Sequence, residues 1–482
     1  MTANWKAEAI LEQAIVHVRA RDYDRALAIL VQAIEEDPNM VESWVLRGNI
    51  LMAQEHFFDA LLHFDRAIAV RPEAGDAWNN RSEALANMGR WEESEASYRK
   101  SLSIRDNREP HLGLANLLCT TMRLEEAAAE YRKVVELDPM DHEAHFNMGV
   151  TLLGLGRWDE GFRAYYHRHH TEVFPPRART AFTEWRGEDL NGKSILLYPE
   201  QGYGDEIMAA RFVFSIREKY PNTQIILEAR APFTRLAKTL NVGGPYWEVF
   251  TRGDADYLLD VDYSCIDYSC SVMDVPWLLG MGPGDVPRLQ KYLTAGRWHD
   301  TFDNITQIIG RGFNVGLCWG SGKHLSAAIG ARQMKSIPIH KLAGLAMPGV
   351  NLISLQKPAE PTPPEMGVHD WTDELHDLAD TAALIASLDL VITVDTAVAH
   401  LAGALGVPVW NFVRFSGYWP WMSRESLYET SAVEGHTDLD QYSLWYPSMR
   451  LLRQTALNDW SEPIATAVRD LQALVAQREA AE

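Results

Sequence analysis

The sequence predicts a helical repeat array in the first third of the chain, followed by two α/β domains. Three observations support this fold class. A motif recurs about every 34 residues between positions 7 and 170. Strand-like and helix-like segments alternate from Ser194 and start again near Asn314, and a strand, turn, helix and strand follow one another from Leu390 to Trp410. A chain of 482 residues is long enough for two or three domains.

The composition excludes several classes of protein. A net charge of −21 disfavours non-specific binding to nucleic acid or to anionic membranes. The first ten residues lack the pattern of a signal peptide, and charged residues interrupt the longest apolar stretch, so no membrane span is expected. The four cysteines show neither metal-ligand spacing nor a disulfide framework, which favours a cytoplasmic location; they are Cys119, Cys265, Cys270 and Cys318.

The repeat has an aromatic or leucine centre followed three residues later by a small residue. The centres are Tyr23, Phe57, Trp91, Leu124 and Trp158, and the small residues are Ala26, Ala60, Ser94, Ala127 and Gly161. This pattern resembles the tetratricopeptide repeat (TPR) over about residues 7–170, which predicts a repeat domain over residues 1–170, and the second unit fits best. The third unit departs from it with Arg81, Ser82 and Ser101 at usually apolar or small positions.

Stacked helix pairs of this kind form a solenoid, because no single pair can bury its apolar face alone. We expect most of the repeat aromatics to be core residues. The resemblance implies a concave groove that takes a protein or peptide partner, and it leaves the oligomeric state open.

The rest of the chain predicts two Rossmann-like halves that face a cleft. A linker with Pro175 and Pro176 is expected over residues 171–190. The first half, residues 191–310, has predicted strands at 194–198, 224–228 and 257–261 and helices at 206–219 and 233–240. The second half, residues 311–482, has predicted strands at 314–319 and 350–355 and helices at 337–345 and 381–387.

The segment from Leu390 to Trp410 predicts an anion site in the second half. An apolar strand ends at Val394, and two good N-cap residues, Asp395 and Thr396, precede an alanine-rich helix that Gly406 closes. The N-terminus of such a helix attracts phosphate groups at the end of a sheet.

Four motifs in order carry a more specific resemblance. They are EQGYGDEIMAARF from Glu200, RQMKSIPI from Arg332, LISLQK from Leu352 and DTAVAHLAGALGVPVW from Asp395. Together with the repeats they resemble bacterial repeat-fused glycosyltransferases, which are related to lipopolysaccharide heptosyltransferases and more distantly to O-linked N-acetylglucosamine transferases. The resemblance implies a GT-B fold and sugar transfer from a nucleotide sugar, with no metal and no cofactor.

On the donor side, the resemblance implies contact of the diphosphate with Thr396 and Ala397 at the helix N-terminus. A nearby cation, Lys335 or Lys323, would neutralise the charge. Asp395 repels phosphate, so it is expected to cap the helix or to bond a neighbouring loop at the edge of this site. The remaining predicted donor-site residues are Trp319, Ser321, Gln356 and His400, of which His400 can equally be a packed helix residue.

On the acceptor side, Gly202 and Gly204 allow a tight loop at a strand end. An aspartate at the position of Asp205 is the proposed general base of the heptosyltransferases; the alternative is that it caps its own helix. Gln201, Gly202 and Gly204 are counted with the nucleotide-sugar site, and Glu200 is a second cleft candidate. Arg211 either pairs with Asp205 or holds an anion.

Two stretches stay open. The segment 415–442 is longer than in relatives, and its Tyr418, Trp419 and Trp421 either stack on a base or sugar or form a packed loop. The histidines of HRHH, residues 167–170, are expected to be solvated or at an interface rather than metal ligands.

The sequence thus predicts an inverting glycosyltransferase that modifies a protein recruited by the repeats. The alternatives are a repeat scaffold with a degenerate transferase domain, and a transferase that acts on a glycan or a lipid-linked acceptor.

Overall fold

The computed structural model describes residues 5–171, 182–200, 202–244, 246–251, 266–296, 309–321, 335–422, 441 and 443–481. The chain divides into two compact units, Met1–Thr151 and Leu152–Glu482. The sequence predicts that the repeat array ends at residue 170. Because the second unit begins at Leu152, the second helix of the fifth repeat, Trp158–Tyr165, belongs to the second unit.

The repeat region consists of ten helices in sequential pairs. Each recurring centre is the first residue of the second helix of its pair. The helices are α1 (Trp5–Arg19), α2 (Tyr23–Glu36), α3 (Val41–Ala53), α4 (Phe57–Val70), α5 (Gly75–Asn87), α6 (Trp91–Ile104), α7 (Arg108–Thr120), α8 (Leu124–Leu137), α9 (His142–Gly154) and α10 (Trp158–Tyr165).

Small residues let these helices approach one another closely. Ala26, Ala60 and Ala127 are fully buried. A Cβ on Gly48 of α3 would lie 2.4 Å from Cε1 of Phe64 on α4. The periodic small residues therefore mark positions where two helices touch.

The three polar residues that depart from the repeat pattern in the third unit each donate a hydrogen bond. Buried Ser82 donates to the carbonyl of Trp78 at 2.8 Å, and Ser101 donates to the carbonyl of Gly75 at 2.9 Å. Arg81 donates to Asp65 at 2.7 Å. The departure from the repeat pattern is thus compatible with a packed helix pair, because each buried donor has an acceptor.

In the described part of the second unit, the strands form two five-stranded parallel sheets. The first has the order β1-β5-β2-β3-β4 and the second β10-β9-β8-β6-β7. The strands are β1 (Thr183–Glu184), β2 (Ser194–Tyr198), β3 (Gln224–Ala229), β4 (Trp247–Thr251), β5 (Tyr268–Ser271), β6 (Phe313–Cys318), β7 (Val350–Ser354), β8 (Leu390–Val394), β9 (Val409–Val413) and β10 (Met449–Arg453).

Helices of the second unit connect and cover the strands. They are α11 (Tyr203–Ala209), α12 (Phe212–Lys219), α13 (Ala231–Ala237), α14 (Val275–Leu278), α15 (Leu378–Ala386), α16 (Ala397–Leu405) and α17 (Ser461–Ala481). Short 3-10 helices span Tyr166–His170, Pro283–Asp285, Ile339–Leu345, Pro364–Met366 and Thr372–Glu374. The central strands are buried throughout, as expected for a parallel sheet covered on both faces.

Two predicted elements differ in the structure. The single helix expected over 206–219 is two helices, α11 and α12, separated at Ala210 and Arg211. The helix expected over 337–345 is a 3-10 helix that follows Pro338, which lacks a backbone N–H. The strand predicted at 257–261 and residues 172–181 of the linker lie outside the described residues.

The unit from Leu390 to Trp410 forms as predicted. The helix α16 begins after Thr396 and ends at Gly406, which has the left-handed φ of 75°. Among the residues that the structure describes, no helix is both long and apolar enough to cross a membrane.

Candidate functional site

The N-termini of α11 and α16 meet at the carboxyl ends of the two sheets. A Cβ on Gly204 would lie 2.7 Å from Cδ2 of His400 and 3.5 Å from the Cα of Ala397. The two helices therefore touch at a glycine. This contact brings Asp205, on the first turn of α11, beside the strand–helix turn that carries Asp395.

Asp205 has a hydrogen bond on each carboxylate oxygen. The backbone N–H of Gly202 donates to Oδ2 at 3.1 Å, and the Tyr418 hydroxyl donates to Oδ1 at 3.2 Å. Burial raises the pKa of Asp205 to about 6, Asp395 adds to the rise, and the bond from Tyr418 opposes it. The carboxylate both caps its helix and faces the other sheet's residues, so the two interpretations of Asp205 are compatible.

Asp395 bonds neighbouring segments rather than its own helix. Lys335 Nζ lies 3.4 Å from Oδ2, and the indole N–H of Trp421 donates to Oδ1 at 2.8 Å. Burial acts to raise the pKa of Asp395, but Lys335, His400 and Trp421 outweigh it and hold the pKa below its usual value. The Asp395 carboxylate, as an anion, thus holds the Lys335 ammonium at the site.

His400 is buried among aromatic side chains. Its Nδ1 lies 3.0 Å from the hydroxyl of Tyr446, and its ring stacks on Trp421 with a centroid distance of 5.1 Å. Burial lowers the pKa of His400 to about 4, with Arg211 and Lys335 contributing and Asp395 opposing. The side chain that the sequence left between ligand contact and packing is held by aromatic neighbours.

Thr396 is the N-cap residue of α16, yet its hydroxyl makes no cap bond. The hydroxyl instead lies 3.2 Å from that of Thr393 and 3.7 Å from Sγ of Cys318. The side chain of Thr396 therefore leaves the N–H groups of Ala397 and Val398 without a cap bond, whereas the N–H of Ala399 donates to the Thr396 carbonyl at 3.0 Å. A helix end in this state suits an anion.

Other predicted donor-site residues build the turn after β6. Trp319 is 2% exposed, belongs to the hydrophobic core and donates its indole N–H to Glu360 at 3.0 Å. Gln356 is 1% exposed and accepts from the N–H groups of Trp319 and Gly320 at 3.1 and 2.8 Å. The side chains of Trp319 and Gln356 thus support the turn from inside, and their place in the donor site stays a prediction.

Ser321 follows that turn and is partly buried, and its N–H lies 3.1 Å from the hydroxyl of Ser336. This bond ties the end of the β6 turn to the segment that carries Lys335. The predicted residues Gln201 and Lys323 lie outside the described residues.

The aromatic strap, residues 415–422, closes one side of the site. Trp419 and Trp421 are each 3% exposed, which agrees with a packed loop. Trp419 packs edge-on against Trp158 and Phe162 of α10, and Arg453 donates to the carbonyls of Trp421 and Met422. Through Tyr418 and Trp421 the strap contacts both Asp205 and Asp395. Residues 423–440 and 442 of the predicted insertion lie outside the described residues.

Arg414 is a site residue that the motifs did not reveal. It directly follows β9, and its buried Nε has no hydrogen-bond partner among the described residues. Burial lowers its pKa, and Asp395 opposes that change. A cation at a strand end next to Asp395 could have been suspected from the sequence, because ligands bind at the carboxyl ends of parallel strands.

Arg211 has neither of its predicted roles. It is fully buried, and it donates to the carbonyls of Met208 at 3.0 Å and Trp445 and to the Tyr292 hydroxyl at 3.3 Å. Its guanidinium also lies 4.6 Å from the ring centroid of Tyr446. Arg211 therefore joins the two halves instead of binding Asp205 or a ligand anion.

The HRHH stretch is partly buried, and Arg168 within it is fully buried. Arg168 and His169 bond Glu200 and Asp274, so Glu200 is not free to line the cleft. His169, Glu200 and Asp274 are the described residues whose ligand atoms, all within 4.8 Å of one another, are close enough for a metal. The Arg168 guanidinium already lies between the two carboxylates, which disfavours a metal ion there.

Comparisons with known sequences support both parts of the chain. A tetratricopeptide repeat profile matches residues 11–55 and 45–109, and a TPR repeat profile matches 123–156. These matches confirm the repeats. The profile of glycosyltransferase family 9 (heptosyltransferase) matches residues 376–410, which contain α15, β8 and the turn with Asp395 and Thr396.

Relatives are distant. Protein FlbA of Caulobacter vibrioides is 26% identical over 467 residues, and the match covers 90% of this chain and 70% of FlbA. Protein O-mannosyl-transferase TMTC3 of Mus musculus is 26% identical over 160 residues, which are 30% of this chain and 17% of that protein.

Two solved structures resemble part of the chain. YrrB, a TPR protein with an unusual peptide-binding site, is 20% identical with a TM-score of 0.29, covering 33% of this chain and 84% of YrrB. PilW, a type IV pilus biogenesis factor, is 22% identical with a TM-score of 0.33, covering 35% of this chain and 80% of PilW.

Proposed function

We propose that this protein is a GT-B glycosyltransferase that moves a sugar from a nucleotide sugar to a protein recruited by the repeats. The observation that carries the proposal is the meeting of Asp205 with the N-terminus of α16 and the Lys335–Asp395 pair. A base on one sheet and an anion-binding helix end on the other are what a displacement at a sugar phosphate requires.

The proposed reaction is a single displacement at C1 of the sugar, with Asp205 as the general base. The acceptor hydroxyl attacks C1 of the sugar, and its proton passes to Asp205. The bond from C1 to the phosphate oxygen breaks, and its electron pair leaves with the nucleoside diphosphate. Attack from the face opposite the leaving group inverts the configuration at C1.

Support for the donor half comes from charge and from the family match. The leaving diphosphate gains negative charge, which the positive end of α16 and the ammonium of Lys335 stabilise. Asp395 keeps Lys335 in place before the donor arrives, because the two lie 3.4 Å apart. The family 9 match lies over this strand–turn–helix.

Support for a protein acceptor comes from the repeats. Repeat solenoids present extended concave surfaces that bind peptides and proteins. TMTC3, by its name a protein O-mannosyl-transferase, resembles this chain over 160 residues.

A scaffold with a degenerate transferase domain is the second candidate. One observation favours it: both oxygens of Asp205 and both oxygens of Asp395 already have partners within the chain. Such bonds do not exclude catalysis, since catalytic groups often exchange partners when substrate binds.

The test is a panel of nucleoside diphosphates and nucleotide sugars, read by melting temperature and by release of the nucleoside diphosphate. We expect one nucleotide to raise the melting temperature. Asp205→Asn should keep that shift and lose turnover. Lys335→Ala should bind the nucleotide roughly tenfold more weakly, because a charge-assisted contact is lost.

Lys341→Ala is the matched control, since Lys341 is an exposed lysine of the 3-10 helix Ile339–Leu345. Its nucleotide affinity should equal that of the unaltered protein. If no nucleotide shifts the melting temperature and no nucleotide sugar is cleaved, the scaffold is the better account.

A further inference from the structure

Arg168 is held by an unusually complete set of acceptors. It is fully buried in the 3-10 helix that follows α10. Its Nε donates to one oxygen of Glu200 at 3.0 Å and its Nη2 to the other oxygen. The same Nη2 donates to Asp274 at 2.7 Å, and Nη1 donates to the carbonyl of Tyr165 at 3.2 Å.

The acceptors of Arg168 sit at the ends of neighbouring strands. Glu200 lies two residues after β2 and two residues before Gly202, the cap of α11. Asp274 follows β5, which pairs with β2, and directly precedes α14. Ser271, the last residue of β5, also donates to Glu200. The guanidinium of Arg168 thus connects the end of β2, which leads to Asp205, with the end of the adjacent strand β5.

The charges make this arrangement costly to disturb. Burial alone would raise the pKa of Asp274, but Arg168 and His169 outweigh it and hold the pKa below its usual value. His169 Nε2 lies 3.0 Å from Asp274. Removing the guanidinium would leave two buried carboxylates without their main partner. A lysine keeps the charge but lacks the planar fork that binds both oxygens of Glu200.

We propose that Arg168 is a positioning residue for Asp205. By fixing Glu200, it fixes the start of α11 and with it the direction of the Asp205 carboxylate. The catalytic consequence rests on the proposed function, whereas the positioning is a property of the free protein. The residue belongs to the segment after the last repeat, so the site depends on a part of the chain outside both sheets.

The experiment compares full-length Arg168→Lys and Glu200→Gln with the unaltered protein. Hydrogen exchange is followed in peptides from α11 and from α16, and turnover is measured with the active nucleotide sugar. Arg168→Lys should exchange faster in α11 while α16 stays the same. We expect its kcat to fall roughly tenfold to a hundredfold with the KM for the donor unchanged, since a small displacement of a reacting group has this cost.

Arg163→Ala is the control, because Arg163 is an arginine of α10 whose side chain is 69% exposed and pairs with Asp159 one turn away. Glu200→Gln, which keeps the shape of the side chain, serves if Arg168→Lys does not fold. Unchanged α11 exchange in a folded variant would overturn the proposal, and so would faster exchange with unaltered turnover. If the protein cleaves no nucleotide sugar, the proposed function fails, and the exchange result still decides the positioning.

Discussion

Gly204 of α11 lies against the imidazole of His400 on α16, so closely that a Cβ at position 204 would be 2.7 Å from Cδ2. The imidazole cannot retreat, because it stacks on Trp421 and bonds the Tyr446 hydroxyl. The backbone conformation does not require a glycine here. The close approach of two helices from different sheets requires it, and that approach forms the candidate site.

Gly204→Ala tests this contact. The added methyl group must separate the two helices or displace His400, so we expect a loss of stability of about 1–3 kcal/mol, the usual cost of overpacking. Denaturant unfolding measures the loss. Gly282→Ala is the control, because a Cβ there would be 3.7 Å from the nearest atom, an ordinary contact. Equal stability of the two variants would contradict the contact.

The titration of Asp205 should be visible in the stability of the protein. Burial raises its pKa to about 6, above the ordinary value of 3.8. A folded-state pKa above the unfolded one means that ionisation destabilises the fold, so stability falls as pH rises from about 4 through about 6. Asp205→Asn lacks this titration. The melting temperature of Asp205→Asn should therefore rise relative to that of the unaltered protein as the pH increases from about 4 to about 6.

Asp285→Asn is the matched control for the lost cap bond, because the exposed Asp285 accepts from the N–H of Gly282 at 2.8 Å in the same spacing. The prediction is wrong if the difference in melting temperature between Asp205→Asn and the unaltered protein stays constant from pH 4 to pH 7. Asp205 would then have the same pKa in the folded and the unfolded protein.

The pKa values of two histidines are shifted in opposite directions from the ordinary value of 6.5. Burial lowers the pKa of His400 to about 4. In the repeats, burial acts to lower the pKa of His111, but Glu130 and Asp106, at 2.5 and 2.6 Å, outweigh it and raise the pKa. At pH 6 the nitrogen resonances should show a protonated His111 and a neutral His400, with His111→Gln and His400→Gln giving the assignments.

The directions of the two pKa shifts determine how each histidine affects stability as the pH changes. His111 contributes stability that is present below the ordinary pKa of 6.5 and is lost as pH rises through its raised pKa. His400 has the reverse effect, because stability is lost as pH falls from 6.5 to about 4. Titration of both rings together near 6.5 would contradict both environments.

The first unit offers a test of repeat packing. Gly48→Ala should destabilise the protein by about 1–3 kcal/mol through overpacking, although alanine favours a helix over glycine by about 1 kcal/mol. The reason is that the Cβ would lie 2.4 Å from Phe64. Gly75→Ala, with its nearest contact at 3.6 Å, should be neutral or stabilising. Thermal unfolding of both variants decides, and a stable Gly48→Ala would contradict the packing.

The sequence predicted the fold well wherever a local pattern determines an element. The repeat centres mark helix starts, and the strand–turn–helix from Leu390 appears as predicted. It also placed Asp205, Lys335, Asp395 and His400 near one another. It did not show that Trp319 and Gln356 point inward, because the direction of a side chain at a strand end depends on the neighbouring strands.

The sequence interpretation was least successful for Arg168. Its main partners are 32 and 106 residues away in the chain. A pattern of four neighbouring residues carries no information about such partners, so HRHH was predicted only to be solvated or at an interface. Arg414 lies outside the four motifs, but its position directly after a predicted strand was a signal that the motif comparison did not use.

The most direct test of the central claim is a crystal structure with the nucleoside diphosphate that raises the melting temperature. We expect the diphosphate at the N-terminus of α16, within hydrogen-bond distance of the Ala397 N–H and of Lys335 Nζ, with the Asp205 carboxylate on the opposite side of the site. A nucleotide bound elsewhere, with the Lys335–Asp395 pair and the Tyr418–Asp205 bond undisturbed, would contradict it.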